Sequence, residues 1–288
     1  MNRRPRVAGR LSPPKKPEPR RAASPRWRAR WRALGKGPKW LIVTLTPLLL
    51  TAAVPGIAPW VVDKARDVYG EQPVTVSSEN FREVVAGLYW ATGDQVTVAA
   101  PGDSFDAVQR NGAQMGVSGH QITLDSNRSG RIDLVRITAV VEKRLPPLDG
   151  TAFIADPQGS SDAPIVDFHL DSGPEVPALV ADESGDPGKA TRPYLSDGKV
   201  LFLEKGQTEH LIVRASTRKC FCTWRVRIEY SYRGDRRTVT LPPPESPPFK
   251  TTAWAFHRVE YNMNTADGAA PARYDCVAQP AACRVVPR

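Results

Sequence analysis

The sequence predicts a mainly β protein, an antiparallel β-sandwich outer domain behind a single N-terminal transmembrane helix. Three observations lead there. One stretch of the 288-residue chain, residues 40–62, is apolar and carries no charge. The basic excess of the chain lies entirely before that stretch. Beyond it, short runs of alternating apolar and polar residues recur between turns rich in Gly and Pro, as in sandwich domains.

The uncharged stretch runs from Trp40 to Val62. Twenty steps separate Trp40 from Trp60, roughly 30 Å at 1.5 Å per residue, the thickness of a bilayer's hydrocarbon core. A tryptophan near each end suits the two membrane–water interfaces. Pro47, Pro55 and Pro59 weaken a soluble helix more than a membrane one, where neighbouring groups re-satisfy the freed carbonyls. The competing reading is a cleaved signal peptide, with Gly56-Ile57-Ala58 as the cleavage site. The charged leader and the apolar run are both longer than that reading expects, which favours an uncleaved anchor.

Residues 1–39 hold fourteen Lys and Arg against the single acid Glu18, a net +13. The whole chain is +10, so residues 40–288 sum to −3. Basic residues before a span keep that side cytoplasmic. The sequence therefore predicts a cell-membrane protein with a cytoplasmic N-terminus and an extracytoplasmic C-terminal domain. Residues 1–39 read as a disordered basic tail. Within it, Ser24 and Pro25 start, and Gly35 stops, a short amphipathic helix over 25–34. Trp27, Trp31 and Leu34 share one face of it and arginines cover the rest. Trp27 and Trp31 are thus expected at the membrane interface, with the tail against anionic lipid head groups. Thirty-nine residues hold no recognised nucleic-acid fold, and no nucleic-acid partner is expected.

Residues 63–114 read as an irregular membrane-proximal segment. A helix is expected to continue to Gly70, and Pro73 to Ser77 to form a short strand. Phe81, Val84, Val85 and Leu88 recur at helical spacing, with a strand pair through Leu88 to Trp90 as the competitor. Gln95 to Ala99 reads as a strand. From about 115 to 255 the strand signals become dense. They cover Gln121–Leu124, Ile132–Val141, Thr151–Ile154, Pro164–Leu170, Val176–Val180, Lys199–Leu203, Glu209–Ala215, Phe221–Tyr232 and Thr238–Leu241. Prolines 146, 147, 157, 242–244, 247 and 248 fall between them. Residues 115–255 are therefore the predicted β-sandwich, and 256–288 a C-terminal tail tethered by disulfides.

In the strand after Lys219, Cys220, Cys222, Trp224, Val226, Ile228, Tyr230 and Tyr232 share one face. Arg225, Arg227 and Glu229 point the other way, and Arg225 and Arg227 are expected in solvent. Cys220, Cys222, Cys276 and Cys283 lie on the predicted outer side, where disulfides persist. A Cys220–Cys222 bond inside an extended segment would hold its Cα atoms too far apart. Bridges from the 220/222 pair to the 276/283 pair are expected instead. The alternative is a local Cys276–Cys283 loop that leaves 220 and 222 free or redox-active. Metal binding by Cys-x-Cys with His257 matches no standard spacing.

Other motifs fail on context. Asp125 to Arg136 resembles a calcium loop but ends on Arg136 where a bidentate Glu is needed, so it reads as a hairpin turn. Asn127-Arg-Ser129 is a glycosylation sequon. Asp167, His169 and Asp171 share one face of a strand and read as its solvated side. Ser196-Asp-Gly-Lys199 has the Ser-x-x-Lys spacing but sits in a turn before a strand. No catalytic, cofactor or metal residue emerges, and no cofactor is expected. A non-enzymatic envelope protein for binding or structural interaction, with the bilayer and an envelope protein as partners, is favoured. The alternatives are a surface hydrolase whose site is assembled from distant residues, and a redox protein using Cys220 and Cys222.

The pieces Ile137–Glu142, Pro146–Thr151, Phe168–Asp171, Val200–Gly206, the Cys-x-Cys-x-Trp strand and Pro248–Thr252 share an outline. Together they resemble the outer domains of uncharacterised single-pass membrane proteins of high-GC Gram-positive bacteria. The resemblance covers about half of the chain. It implies the topology above, an anchor followed by an extracytoplasmic β-rich domain, and no activity.

Overall fold

A computed structural model describes residues 59–69, 71–80, 88–98, 111–155, 164–182, 186–196, 201–263 and 271–284. The basic tail with its expected helix over 25–34, Trp27, Trp31, Trp40 and most of the predicted span lie outside the described residues. No helix among the described residues is long and apolar enough to cross a membrane. The described chain is mainly β and its strands form two sheets.

One α-helix, α1 (Pro59–Val68), opens the described chain. It takes in Trp60 and the last residues of the predicted span. The first sheet has five strands. In spatial order they are β1 (Val74–Asn80), β4 (Val117–Ser126), β11 (Thr208–Ser216), β7 (Ile165–His169) and β9 (Leu179–Val180). The second sheet has eleven. Its path begins with β10 (Leu201–Leu203), β5 (Ile132–Leu145), β12 (Phe221–Tyr232) and β14 (Phe249–Thr252). It continues through β3 (Gly112–Met115), β2 (Leu88–Thr92), β6 (Thr151–Ala155), β15 (Val259–Asn262) and β16 (Ala272–Asp275). Off this path, β13 (Asp235–Leu241) pairs with β12, and β8 (Glu175–Pro177) pairs with β5.

Both sheets contribute to one core. Ile122, Leu124, Val166, Phe168, Leu211 and Val213 come from the first; Ile132, Ile137, Trp224, Val226, Ile228 and Tyr230 come from the second. Strand β12 is central, flanked by β5, by β13 at one end and by β14 at the other. Its alternation is as read from the sequence: Cys222, Trp224, Val226, Ile228, Tyr230 and Tyr232 are all buried. The β12–β13 hairpin closes through Arg233 and Gly234, both with positive φ (54° and 86°). Positive φ at both central residues is what a two-residue hairpin needs to match strand twist.

Several expectations change. The pairing is mixed: β7 runs parallel to β11, β3 to β14 and β6 to β15. The segment 63–114 is not irregular throughout, since β1, β2 and β3 are members of the sheets. The short strand expected over Pro73–Ser77 is present as β1 and runs on to Asn80, where a helix was expected to begin after Ser78, and Leu88 to Trp90 is a strand, as in the competing reading. Residues 95–98, within the run Gln95–Ala99 read as a strand, have no ladder partner among the described residues and are irregular. At the other end, β15 and β16 carry the second sheet past residue 255. Residues 59–288 form one compact unit. Strands β3, β15 and β16 are only four residues long, too short for a legible period.

Candidate functional site

The polar residues that converge most strongly join α1 to the loop after β4. Two acids, Asp63 and Asp67, lie one helical turn apart on α1. The loop from β4 to β5, residues 127–131, crosses from the first sheet to the second. It is not the expected hairpin turn, because β4 pairs with β1 and β11 whereas β5 pairs with β12.

Asp63 is buried, and one of its carboxylate oxygens collects four donors. The Ser129 N–H donates to Oδ2 at 3.0 Å, the Tyr232 hydroxyl at 2.9 Å and Arg233 Nη2 at 3.2 Å; the Ser129 hydroxyl donates to it as well. Burial pushes the carboxyl up, but the bonds from Ser129 and Tyr232 and the Arg233 charge outweigh it and hold the group below the usual range. The same burial, with the Asp63 carboxylate, pushes the Tyr232 phenol up.

Arg128 is only 1% exposed. Its Nη2 donates to Asp67 Oδ1 at 3.3 Å and to the Glu71 carbonyl at 2.6 Å, and its Nη1 donates to Asn127 Oδ1 at 2.6 Å. Arg237 adds a 3.6 Å ion pair to Asp67. Asn127 Nδ2 donates to the Gln72 carbonyl at 2.7 Å, and the Tyr230 hydroxyl to Gln72 Oε1 at 3.1 Å. A buried guanidinium is tolerated only when paired and hydrogen-bonded, so Arg128 fixes this loop against the helix. The cluster is a clamp between α1 and the β structure, and it contains no nucleophile–base pair.

This clamp also decides two motifs. The calcium-like loop carries the Arg128 cation, which donates to Asn127, one of the expected ligands. Both ends of the sequon are engaged, Asn127 with Gln72 and Ser129 with Asp63.

Asp167, His169 and Asp171 do not form a solvated face. Asp167 is fully buried and makes two bonds to Arg214, at 2.7 and 2.8 Å. His169 Nε2 meets the Pro187 carbonyl at 2.5 Å. Asp171 accepts the Thr217 hydroxyl at 2.8 Å and the Arg218 N–H at 2.7 Å. Each has its own partner, so the three do not converge on a common ion. Ser196 donates to the Pro193 carbonyl, within its turn.

Arg225, expected in solvent, is buried. It binds Glu142 at 2.6 Å and donates to the carbonyls of Pro242, Pro243 and Ser246 at 2.6–2.9 Å. The proline-rich connection after β13 folds back over it and offers carbonyls that have no strand partner. Arg227 keeps the expected character, half-exposed and 2.9 Å from Glu175.

The cysteines pair as Cys220–Cys222 and Cys276–Cys283. The expected cross-bridges are absent, and the Cys220–Cys222 link is present. Its Cα atoms are 5.7 Å apart, within the usual 4.4–6.8 Å range. The two Cα atoms come this close because Cys220 precedes β12 and is not part of the extended strand. It ends a turn in which Thr217 Oγ1 accepts from the N–H groups of Lys219 and Cys220. The C-terminal segment is held to the sheet by β15 against β6, not by a bridge to β12. Among the predicted interface residues, Trp60 alone is described, within α1.

No family model matches the chain, and no match to a curated protein was found. Among solved structures, a family 123 glycoside hydrolase from Clostridium perfringens, studied for glycolipid glycan hydrolysis, aligns at 11% identity with a TM-score of 0.25. The alignment covers 63% of this chain and 27% of that one. A likeness of that size carries no argument about fold or activity.

Proposed function

We propose that this is a non-enzymatic, single-pass cell-envelope protein that displays an extracytoplasmic β-sandwich for binding or structural interaction. Residues 40–62 anchor it, with Trp40 and Trp60 at the two interfaces. The +13 tail stays cytoplasmic, with Trp27 and Trp31 against anionic lipid head groups. The outer domain meets an envelope protein partner.

The observation that supports this reading is the clamp on α1. The uncharged stretch ends at Val62, and the next residue, Asp63, is already bound to Ser129, Tyr232 and Arg233. The sequence leaves no spacer between the proposed anchor and the first clamped residue, so the outer domain begins directly after the uncharged stretch. A display or assembly role suits a domain that begins directly at its anchor. The test uses the full chain with a different epitope at each end, expressed in cells with a single membrane. Protease added to intact cells should remove the C-terminal epitope and spare the N-terminal one. Protection of the C-terminal epitope would reverse the orientation, and a mature N-terminus just after Ala58 would replace the anchor by a cleaved signal.

A further inference from the structure

Glu260 sits in β15, between β6 and β16, and is 1% exposed. A carboxylate this buried requires partners. The Arg284 N–H donates to both of its oxygens, at 3.1 and 3.0 Å. Two sulfurs also lie close to it. A Glu260 oxygen and the Sγ atoms of Cys276 and Cys283 all lie within 4.8 Å of one another, and all three residues are buried. In the structure the two sulfurs are bonded to each other.

We propose that reduction of the Cys276–Cys283 bond turns these three side chains into a zinc site, with two thiolates and one carboxylate as ligands. The donor set selects the metal. Thiolates are soft and disfavour calcium or magnesium, while Zn2+ accepts sulfur and carboxylate oxygen together. With Zn–S near 2.3 Å and tetrahedral angles, the two sulfurs of such a site stand about 3.8 Å apart. The two sulfurs, now bonded to each other, would have to move apart to reach that separation while staying beside the Glu260 oxygen. Glu260 is fixed between two neighbouring strands, whereas the cysteines flank a short turn, Pro280–Ala282, that can reseat around an ion. The Arg284 N–H would orient the ligating carboxylate from outside, as such sites require. Water takes the fourth position.

The exchange balances. A dithiol reductant gives the disulfide two electrons and two protons and leaves as its own disulfide. Zn2+ then displaces the two thiol protons to solvent. Bond and zinc site exclude each other: with the domain outside the cell, as proposed above, the bond is the resting form and the site opens only where a reductant reaches it.

The test uses the full chain in detergent, oxidised or reduced with a phosphine, and titrated with Zn2+ against a chromogenic chelator. The reduced wild type should bind at least one zinc more than the oxidised protein. That zinc should be lost in Cys276→Ser with Cys283→Ser, which leaves any binding at Cys220 and Cys222 in place. Glu260→Gln should weaken it about tenfold or more. No difference between reduced wild type and the double serine variant would overturn the proposal, as would full affinity in a folded Glu260→Gln. Should Glu260→Gln fail to fold, cobalt in the reduced wild type decides. A tetrahedral visible spectrum with thiolate charge-transfer bands, absent from the double serine variant, supports the site, and a six-coordinate spectrum removes it.

Discussion

Strands β12 and β7 both carry apolar residues at every second position, yet they meet different surroundings. In β12 one face enters the shared core through Trp224, Val226, Ile228 and Tyr230, while on the other face Thr223, Arg227 and Glu229 are half-covered and only Arg225, under the proline-rich connection, is buried. In β7, Val166 and Phe168 enter the same core, and Asp167, on the opposite face, is as fully buried as they are. That burial is matched by a charge on the neighbouring strand. The parallel register sets Asp167 directly beside Arg214 of β11. Alternation therefore reports which side of a strand a residue takes, while burial of the second side depends on what the rest of the chain lays over it. A polar residue on a covered second face survives only with a partner in register.

The strongest way to break this comparison is on β12. Ile228→Asp puts an unpaired charge into the core and should abolish cooperative thermal unfolding, a cost above about 4 kcal/mol. On β7 the charge is native, and the damage comes from removing its partner. Asp167→Ala leaves the Arg214 guanidinium buried without its carboxylate and should cost about 3–5 kcal/mol in denaturant unfolding. Asp167→Leu with Arg214→Met should return to near wild-type stability, since a well-packed apolar pair often replaces a buried ion pair without loss. Failure of that rescue would mean that the pair does more than offset its own desolvation.

A third test uses pH. His120 of β4 stacks on Phe249 at 4.0 Å and meets Trp224 edge-on, and neither ring nitrogen has a hydrogen-bond partner among the described residues. Burial pushes its pKa down to about 3. The unfolded imidazole titrates near 6.5, so below that pH the unfolded state takes up a proton that the folded state refuses. Stability is then full above about pH 6.5 and falls by up to roughly 1.4 kcal/mol per pH unit toward pH 3. His120→Phe should reduce that slope in melts between pH 7 and 5. His257, also held low by burial, would leave a remainder. Asp63 contributes in a lower window. Its carboxyl is held below the ordinary value, so its contribution is present above about pH 4 and lost as pH falls further. The smallest effect belongs to Arg227→Asp. Its partner Glu175 is itself largely exposed, so the change should stay within about 1 kcal/mol. Damage equal to that of Ile228→Asp would show that the strand faces the other way.

The long strands were legible because packing leaves a period-two record over many residues. β4, β5, β11, β12 and the β12–β13 hairpin all stand where alternation and turn residues put them. The clamp was not legible, since its halves are more than sixty positions apart and each looks ordinary alone: Arg128 as a turn residue, Asp63 as the end of a hydrophobic run. The available signal was complementarity. Asp63 and Asp67 form an acidic stripe on a helix, and Arg128, Arg233 and Arg237 sit in turns or on a hairpin end. Arg225 was misplaced because three proline-region carbonyls reach it, an arrangement no local pattern encodes. The disulfides were misread from a single residue's backbone state, that of Cys220 just outside its strand.

The parallel pairings also govern when the molecule can come into being. Thr251 of β14 stands beside Gln114 of β3, and Val259 of β15 beside Thr151 of β6, each more than a hundred positions away. A chain synthesised from its N-terminus presents β3, β2 and β6 long before β14 and β15 exist. Until then those strands have open edges, which recruit other chains as readily as their own missing neighbours. Non-local pairing of this kind is slow, because loop closure must precede the contacts that reward it. Assembly of the second sheet is thus a late event that waits for nearly the whole chain, and a nascent chain halted before residue 249 holds a sheet that can only be completed by another molecule.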